Sequence, residues 1–360
     1  MNASGKIIIF AALLPASIAT AQTQIIQQGN VLIQDDPATA SVTEGNLRVE
    51  GAVSIGAAVV SGANSIVSGN SETTVLSDYS ICFGEGNSLN SDYSFMVGKN
   101  NELESGTYNF VLGNSTLGSE NNYSFRMGDN ISQSNSSYSM AFGSNVEMAH
   151  SDYSMAFGSG ASVMYAESSF AIGKNAIVNF IVTLSETEYP QSGIGAFAMG
   201  NGARIDFSNN SYAIGENAYV NGLTADPVNA EGNYDHSLVS MLGNSYAIGK
   251  SAKVLKAANA YAIGAYATSE CFGQITLGSY NLNEFPTASK TQWNGGDPLL
   301  VVGNGTSETE RSNALVVLKN GNTKINGKLK IKPPGGRNFN GNIRRINRRI
   351  FRISIAIDEL

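Results

Sequence analysis

Residues 153–163 read YSMAFGSGASV, and residues 168–178, fifteen positions later, read SSFAIGKNAIV. The shared element is a large apolar residue, a small residue, an apolar residue and then glycine. Aligned on that glycine, the chain repeats mostly every 15 residues, and five consecutive steps of 15 from Gly98 to Gly173 indicate a repeat architecture. The marker glycines are Gly56, Gly69, Gly84, Gly98, Gly113, Gly128, Gly143, Gly158, Gly173, Gly200, Gly215, Gly249, Gly264 and Gly278.

Each period divides into two short strands. Before the glycine, the large side chains of Tyr153, Met155 and Phe157 alternate with small ones, and a period of two is typical of a strand with two different faces. After the glycine come two turn residues and a second short alternation, as in Ala161 and Val163. One period is therefore predicted to be strand, tight turn, strand, tight turn, with glycine where the turns need positive φ.

A coil of this size cannot bury its own apolar side, so successive coils must stack strand on strand. We predict an all-β fold over residues 51–284, a parallel β-roll (β-solenoid) of about 14 coils spaced ~4.8 Å apart and on the order of 65 Å long. The surplus apolar side favours a homo-oligomer, since identical chains are its most economical cover. The alternative is a monomeric solenoid with an exposed ladder of Tyr, Phe and Met, which would leave a long apolar patch.

Four units in the second half of the chain resemble a known family: residues 169–176 (SFAIGKNA), 211–218, 245–252 and 260–267 look like the head repeats of YadA-like trimeric autotransporter adhesins. The resemblance covers roughly residues 50–280 and implies a left-handed parallel β-roll, three chains per head, display on a bacterial surface and binding of host or matrix surfaces. Earlier periods depart from the pattern, because they replace the Ala-x-Val strand with sequences such as Asn101-Glu102-Leu103.

The two ends of the chain differ from the repeat. Residues 1–21 read as a signal peptide, with Lys6, an apolar run too short to span a bilayer, and an A-x-A cleavage signature ending at Ala21; a buried N-terminal helix is the alternative. Residues 22–50 are expected to be a polar leader or a cap for the first coil. Residues 332–360 are expected to be a basic, poorly ordered tail, which either contacts nucleic acid or anionic lipid or is a solvated or non-native tail. Export makes nucleic acid an unexpected partner.

Two insertions interrupt the repeat, near residues 180–196 and 223–242. Insertions in solenoids emerge as loops that often carry binding, although neutral surface loops are equally expected. The second insertion supplies the candidate binding residues, which are Asp226, Glu231, Asp235 and His236. Residues 285–331 are predicted to be a small β-hairpin module, because Asn-Gly pairs such as Asn320-Gly321 separate apolar runs.

Composition argues against catalysis and cofactor binding. Charged residues are only 14% of the chain, and it holds two histidines and two cysteines. No nucleophile, dinucleotide, phosphate-loop or zinc motif is present in the sequence. We therefore expect no enzyme activity, no cofactor and no metal. Cys82 takes the place of a small buried residue, unless its side lines a symmetry axis and brings thiols of neighbouring chains together.

Two functions remain open from the sequence. The first is an exported, adhesin-like surface protein, expected to be a homotrimer, that binds a surface glycan, a matrix protein or a neighbouring cell through its repetitive surface. The second is a purely structural fibre or spacer with no ligand of its own. The sequence does not name a ligand.

Overall fold

The alternation before each marker glycine forms a strand in every period. The computed structural model describes residues 53–56, 58–61, 64–184, 187–190, 193–223 and 241–328. Over those residues it is all-β, so the predicted fold class is confirmed. The signal peptide, the leader, the basic tail and most of the second insertion lie outside the described residues. Within the described part, no helix is long and apolar enough to cross a membrane.

A first sheet collects the strand that carries the marker glycine from each coil. Its parallel strands are Val53–Gly56, Ile66–Gly69, Ile81–Glu85, Phe95–Lys99, Phe110–Asn114, Phe125–Asp129, Met140–Ser144, Met155–Phe157, Phe170–Ile172, Phe197–Met199, Tyr212–Ile214, Tyr246–Ile248, Tyr261–Ile263, Ile275–Ser279 and Pro298–Asn304. Each strand pairs in parallel with the same strand of the next coil, so that Gly113 lies opposite Gly128 and Gly128 opposite Gly143.

A second sheet collects the short strand that follows each turn. Its 13 parallel strands are Val59–Val60, Thr74–Val75, Ser88–Leu89, Glu102–Leu103, Leu117–Ser119, Ser132–Ser134, Glu147–Ala149, Ser162–Met164, Ile177–Asn179, Arg204–Asp206, Tyr219–Asn221, Lys253–Leu255 and Thr268–Ser269. The two sheets face each other across a narrow interior, which the small or apolar residue of each strand fills. Ala156 and Val163 of one coil, for example, are both fully buried.

Each coil has a third, very short side that the sequence did not predict. Two-residue strands form it where pairing is regular: Gly106–Thr107 pairs with Asn121–Asn122, and Ala166–Glu167 with Gly193–Ile194. The sequence predicted a single tight turn after the second strand. The structure has two corners there, with the short third side between them. Up to three residues per coil have the left-handed conformation, as Asn145, His150 and Tyr153 do with φ of 54°, 49° and 55°.

Serine side chains hold the third side together. The Ser154 hydroxyl points inward and donates to the Ala166 carbonyl at 2.8 Å, while the backbone N–H of Ser169 donates to the Ser154 hydroxyl at 3.0 Å. Ser139 repeats the pattern one coil earlier, with the Ser151 carbonyl as its acceptor at 2.7 Å. These bonds satisfy the backbone at a side that is too short for a long strand ladder.

The first sheet continues into the residues predicted as a separate C-terminal module. Pro298–Asn304 pairs in parallel with Ile275–Ser279, and Gly303 lies opposite Gly278. The chain then reverses, and the antiparallel strands Asn313–Leu318 and Thr323–Ile325 follow around the Asn320-Gly321 turn. In the first insertion, Ile181–Leu184 and Thr187–Pro190 form an antiparallel pair. Strand pairing therefore crosses the boundary placed at residue 284 on sequence grounds.

Candidate functional site

The marker glycines form a column in which each backbone contacts the next. A Cβ atom at Gly98 would lie 1.7 Å from the carbonyl oxygen of Gly113, and a Cβ at Gly264 would lie 1.8 Å from that of Gly278. The φ values of Gly98 and Gly264 are +136° and +132°, a region that favours glycine. The structure shows positive φ at every proposed turn glycine from Gly84 to Gly278 except Gly113. The column is structural, because close stacking of the coils needs it.

Two columns of large apolar side chains run along the outer surface of the first sheet. We call them together the apolar face. The first column is Ile66, Ile81, Phe95, Phe110, Phe125, Met140, Met155, Phe170, Phe197, Tyr212, Tyr246, Tyr261, Ile275 and Leu300. The second is Phe83, Val97, Leu112, Met127, Phe142, Phe157, Ile172, Met199, Ile214, Ile248, Ile263, Leu277 and Val302.

Side chains on the apolar face contact one another but leave much of their surface in water. Phe95, Phe110 and Phe125 stack with ring centroids 4.9 and 4.8 Å apart. Even so, Met140 is 44% exposed and Phe157 is 51% exposed in the single chain. The predicted division of the strand into a large outer side and a small inner side is therefore present, and the outer side is uncovered.

A second aromatic row follows the corner just before the first-sheet strand. It consists of Tyr79, Tyr93, Tyr108, Tyr123, Tyr138 and Tyr153, which we call the tyrosine ladder. Neighbouring rings stack with centroids 4.8–5.1 Å apart and with planes 0–13° from parallel. About half of each tyrosine is exposed, from 46% to 55%. The phenols therefore form a continuous, water-accessible row over six coils.

Every tyrosine of the ladder has a left-handed backbone, with φ between 54° and 58°. A bulky residue is uncommon there, because its Cβ crowds the backbone at a cost of about 1–2 kcal/mol. The same corner in later coils holds residues that adopt this conformation more readily, which are Ser168, Gly195, Asn210, Asn244, Asn259 and Gly273. The backbone geometry does not demand tyrosine at this corner.

Among the described residues, the interior of the coils contains a charged side chain that was not expected from the sequence. Arg126 occupies an inner position of the first sheet where Ala141 and Ala156 follow, and its side chain is fully buried. Its Nη1 donates to the Leu117 carbonyl at 3.0 Å and rests against Gly118, which makes the room. Nε and Nη2 have no partner among the described residues. Removal from water lowers the pKa of Arg126 to about 9.

Both cysteines are buried and free. Cys82 lies inside its coil between Val67 and Met96, so its thiol faces the interior and not a neighbouring chain. Loss of contact with water raises its pKa to about 11, and the same cause raises the pKa of Cys271 to about 11. Their thiols are thus protonated at neutral pH. Cys82 lies where other coils have a small core residue, and this packing role accounts for its position.

One of the two histidines lies among the described residues. The other belongs to the predicted binding loop, which lies outside them. His150 lies at a corner, where its ring stacks on Tyr165 with centroids 4.5 Å apart. The candidate binding residues of the second insertion, Asp226, Glu231, Asp235 and His236, lie outside the described residues. No group of three or more His, Cys, Asp or Glu side chains among the described residues is arranged to hold a metal ion.

A buried lysine marks the end of the roll. The Lys319 side chain is fully buried, with its Nζ 3.9 Å from the Asp297 carboxylate. The ammonium lies 5.2 Å from the centre of the Trp293 ring and 5.6 Å from that of Phe272, close enough for cation–π contact. This cluster fastens the antiparallel strands to the last coil and gives the only tryptophan of the chain a structural role.

No family model matches this chain, and no curated protein is significantly similar to it in sequence. The function of this chain is therefore inferred from the surfaces described above.

Proposed function

We propose that this chain is an exported, adhesin-like surface protein that assembles with copies of itself through the apolar face. The sides that remain outside would bind host, matrix or neighbouring-cell surfaces. The observation that supports this most is the apolar face itself, because it continues from coil to coil over the whole described roll.

The size of the apolar face supports assembly. Fourteen side chains spaced ~4.8 Å apart give a strip on the order of 65 Å long and about 10 Å wide. Its area, on the order of 600 Å², is at the upper end of what a soluble monomer exposes and is concentrated in one straight line. Such a strip marks an interaction surface.

A second copy of the chain is the partner that fits the strip best. Because the coils are in register, the face has the same spacing along its whole length, and the same face of a parallel copy matches it. Copies arranged around an axis parallel to the roll would all bury the same face and close the assembly. The resemblance to YadA-like heads supports three chains and a left-handed coil.

Export is proposed from residues 1–21 alone. It agrees with a chain whose two cysteines are buried and free, so that neither is available to form unwanted disulfides outside the cell.

Ligand binding is assigned to the second sheet and the third side, since these stay outside when the apolar face is covered, and, from its sequence alone, to the second insertion. Residues 64–170 contain eleven acidic residues and two basic ones, so this half disfavours anionic glycans. Neutral glycans and matrix proteins are the ligands that this surface chemistry admits.

The test is an adhesion assay with purified residues 22–360 on immobilised collagen, fibronectin, neutral glycans and anionic glycans. Phe110→Lys with Met140→Lys places charges on the apolar face and should separate the chains. Loss of multivalency should then weaken adhesion by about a hundredfold or more. Deletion of residues 223–242 in an otherwise intact assembly asks whether the loop or the roll surface binds.

Absence of adhesion to every surface, with the assembly intact, would overturn the adhesin function. It would leave the structural fibre or spacer as the function of this chain.

A further inference from the structure

The backbone path of the coils does not require the tyrosine ladder, and the ladder is not part of the apolar face through which assembly is proposed. Later coils form the same corner with Ser168, Asn210 or Gly273, which adopt the left-handed conformation at less cost. Six successive coils nevertheless carry tyrosine. A strained backbone that is kept in this way points to a function for the side chain.

The ladder places oxidisable phenols next to one another within one chain. From Tyr93 onward each corner is anchored to the preceding coil by a backbone hydrogen bond, such as Tyr93 N–H to the Asp78 carbonyl at 3.0 Å and Tyr138 N–H to the Asn122 carbonyl at 2.9 Å. Equivalent atoms of neighbouring rings are therefore about one coil spacing apart. About half of each tyrosine is exposed, so an oxidant in solution can reach the phenols.

The phenol of Tyr93 stays protonated at neutral pH. Partial removal from water, followed by the neighbouring Tyr108 and Tyr79, raises the pKa of Tyr93 above its ordinary value. Oxidation of a ladder tyrosine therefore releases a proton together with an electron. A second phenol lies beside the radical that results, and the high local concentration favours coupling within the chain.

We propose that the tyrosine ladder is a site of oxidative cross-linking, in which adjacent tyrosines of one chain join as dityrosine and tie successive coils together covalently. In each link, two aromatic C–H bonds beside the phenol oxygens break and one C–C bond forms between the rings. Two protons and two electrons leave, and they reduce one molecule of hydrogen peroxide to two molecules of water through a heme peroxidase.

This inference does not require the proposed assembly. The linked rings belong to one chain, so a monomer and an oligomer should both react. Dityrosine links would give the roll covalent bonds between its coils. It otherwise has none, since Cys82 and Cys271 are buried apart and no disulfide joins the coils.

The experiment treats residues 22–360 with hydrogen peroxide and a heme peroxidase and measures dityrosine fluorescence. Denaturing electrophoresis should show the mass of one chain. Trypsin cleaves after Lys99 and Arg126, so a Tyr93–Tyr108 link joins the peptides 49–99 and 100–126. A Tyr123–Tyr138 link joins 100–126 to 127–174. Each joined pair should weigh two hydrogen atoms less than its two peptides.

An alternating variant provides the specific control. Tyr93→Phe, Tyr123→Phe and Tyr153→Phe keep the stacked rings but leave the remaining phenols two coils apart. The yield of linked peptides should fall about tenfold or more, because neighbouring phenols no longer meet. The matched variant removes three phenols from another stack, with Tyr212→Phe, Tyr246→Phe and Tyr261→Phe, and should keep the ladder links.

Three results would overturn the proposal: no linked peptides in the unchanged chain, links found only between chains on the denaturing gel, or an undiminished yield in the alternating variant. Links found only between chains would still agree with self-assembly. Loss of adhesion or of assembly, with the intrachain links present, would count against the proposed function alone.

Discussion

Coils from residue 79 to residue 153 and coils from residue 168 to residue 273 share one backbone path but fill it with different side chains. At the inner position after the first corner, three early coils have polar residues: Asn87 and Asn101 donate to backbone carbonyls, and the Thr116 hydroxyl donates to Asn101 Oδ1. The next two early coils have Ile131 and Val146 there. The later coils have alanine there, as at Ala176, Ala203, Ala218, Ala252 and Ala267. Two separate apolar clusters result, one over residues 67–111 and one over residues 131–267.

The two halves show that the coil depends on a few backbone requirements. Both need the glycine column and left-handed corners, and both fill most inner positions with side chains that are either apolar or hydrogen-bonded. The remaining positions are free to carry other chemistry. The early half uses that freedom for the tyrosine ladder and an acidic surface.

The largest expected effect tests what the halves have in common. Gly98→Ala in the early half and Gly264→Ala in the later half should each destabilise the roll by more than about 3 kcal/mol, because the new Cβ meets a backbone oxygen and φ is positive. Gly273→Ala is the control, since its φ is +65° but nothing lies within 4 Å, and it should cost about 1 kcal/mol. Chemical denaturation measures all three. Equal losses for all three would show that the column is not a close contact.

A smaller effect tests the polar interior of the early half. The Asn101 side chain donates to the Gly113 carbonyl at 2.9 Å and accepts from the Thr116 N–H at 3.1 Å. Asn101→Ala should cost about 1–3 kcal/mol because it leaves buried partners unsatisfied. The reverse change, Ala203→Asn, should cost a similar amount in the later half, because the corresponding N–H of Ala218 already donates to the Gly215 carbonyl at 3.3 Å. A neutral Asn101→Ala would show that the two interiors are interchangeable.

Arg126 lies between the two apolar clusters and gives a pH test of the boundary. Its pKa in the folded chain, about 9, is below that of the unfolded chain, so the unfolded state binds more protons from about pH 9 upward. The stability of the unchanged protein relative to Arg126→Met should therefore rise with pH above about 9, by at most about 1.4 kcal/mol per pH unit. Below about pH 9 the Arg126→Met variant should be as stable as the unchanged protein or more stable, because the substitution removes a buried charge with unpartnered nitrogens.

Parallel denaturation series of the two proteins between pH 7 and pH 10.5 measure this difference. A constant difference over the whole range would show that the guanidinium finds partners in solution.

The smallest effect concerns the corner itself. Tyr138→Asn exchanges an early corner for a later one. It should relieve about 1 kcal/mol of backbone cost and lose two ring stacks of about 0.5–1.5 kcal/mol each, so the net change should stay within about 1–2 kcal/mol. Thermal unfolding measures it. A loss above about 3 kcal/mol would make the ladder a main source of stability and remove the need for another role.

Many features of the coil could be predicted from the sequence, because they depend on its periodicity. The 15-residue step, the outer and inner sides of the strand and the hairpin at Asn320-Gly321 were all predicted and are present. The third side was missed because tyrosine does not signal a left-handed corner. Arg126 was missed because an arginine in a strand reads as a surface residue. The continuation at Gly303 was missed because 25 residues separate it from Gly278.

The most direct test of the account is the mass of purified residues 22–360 in solution by light scattering. A fifteen-residue coil with an uncovered apolar face predicts an oligomer, and the resemblance to YadA-like heads implies three chains. Phe110→Lys with Met140→Lys should reduce the oligomer to one chain while the β-sheet circular dichroism is kept. A stable, soluble single chain at all concentrations would contradict the account, because the apolar face would then need no partner.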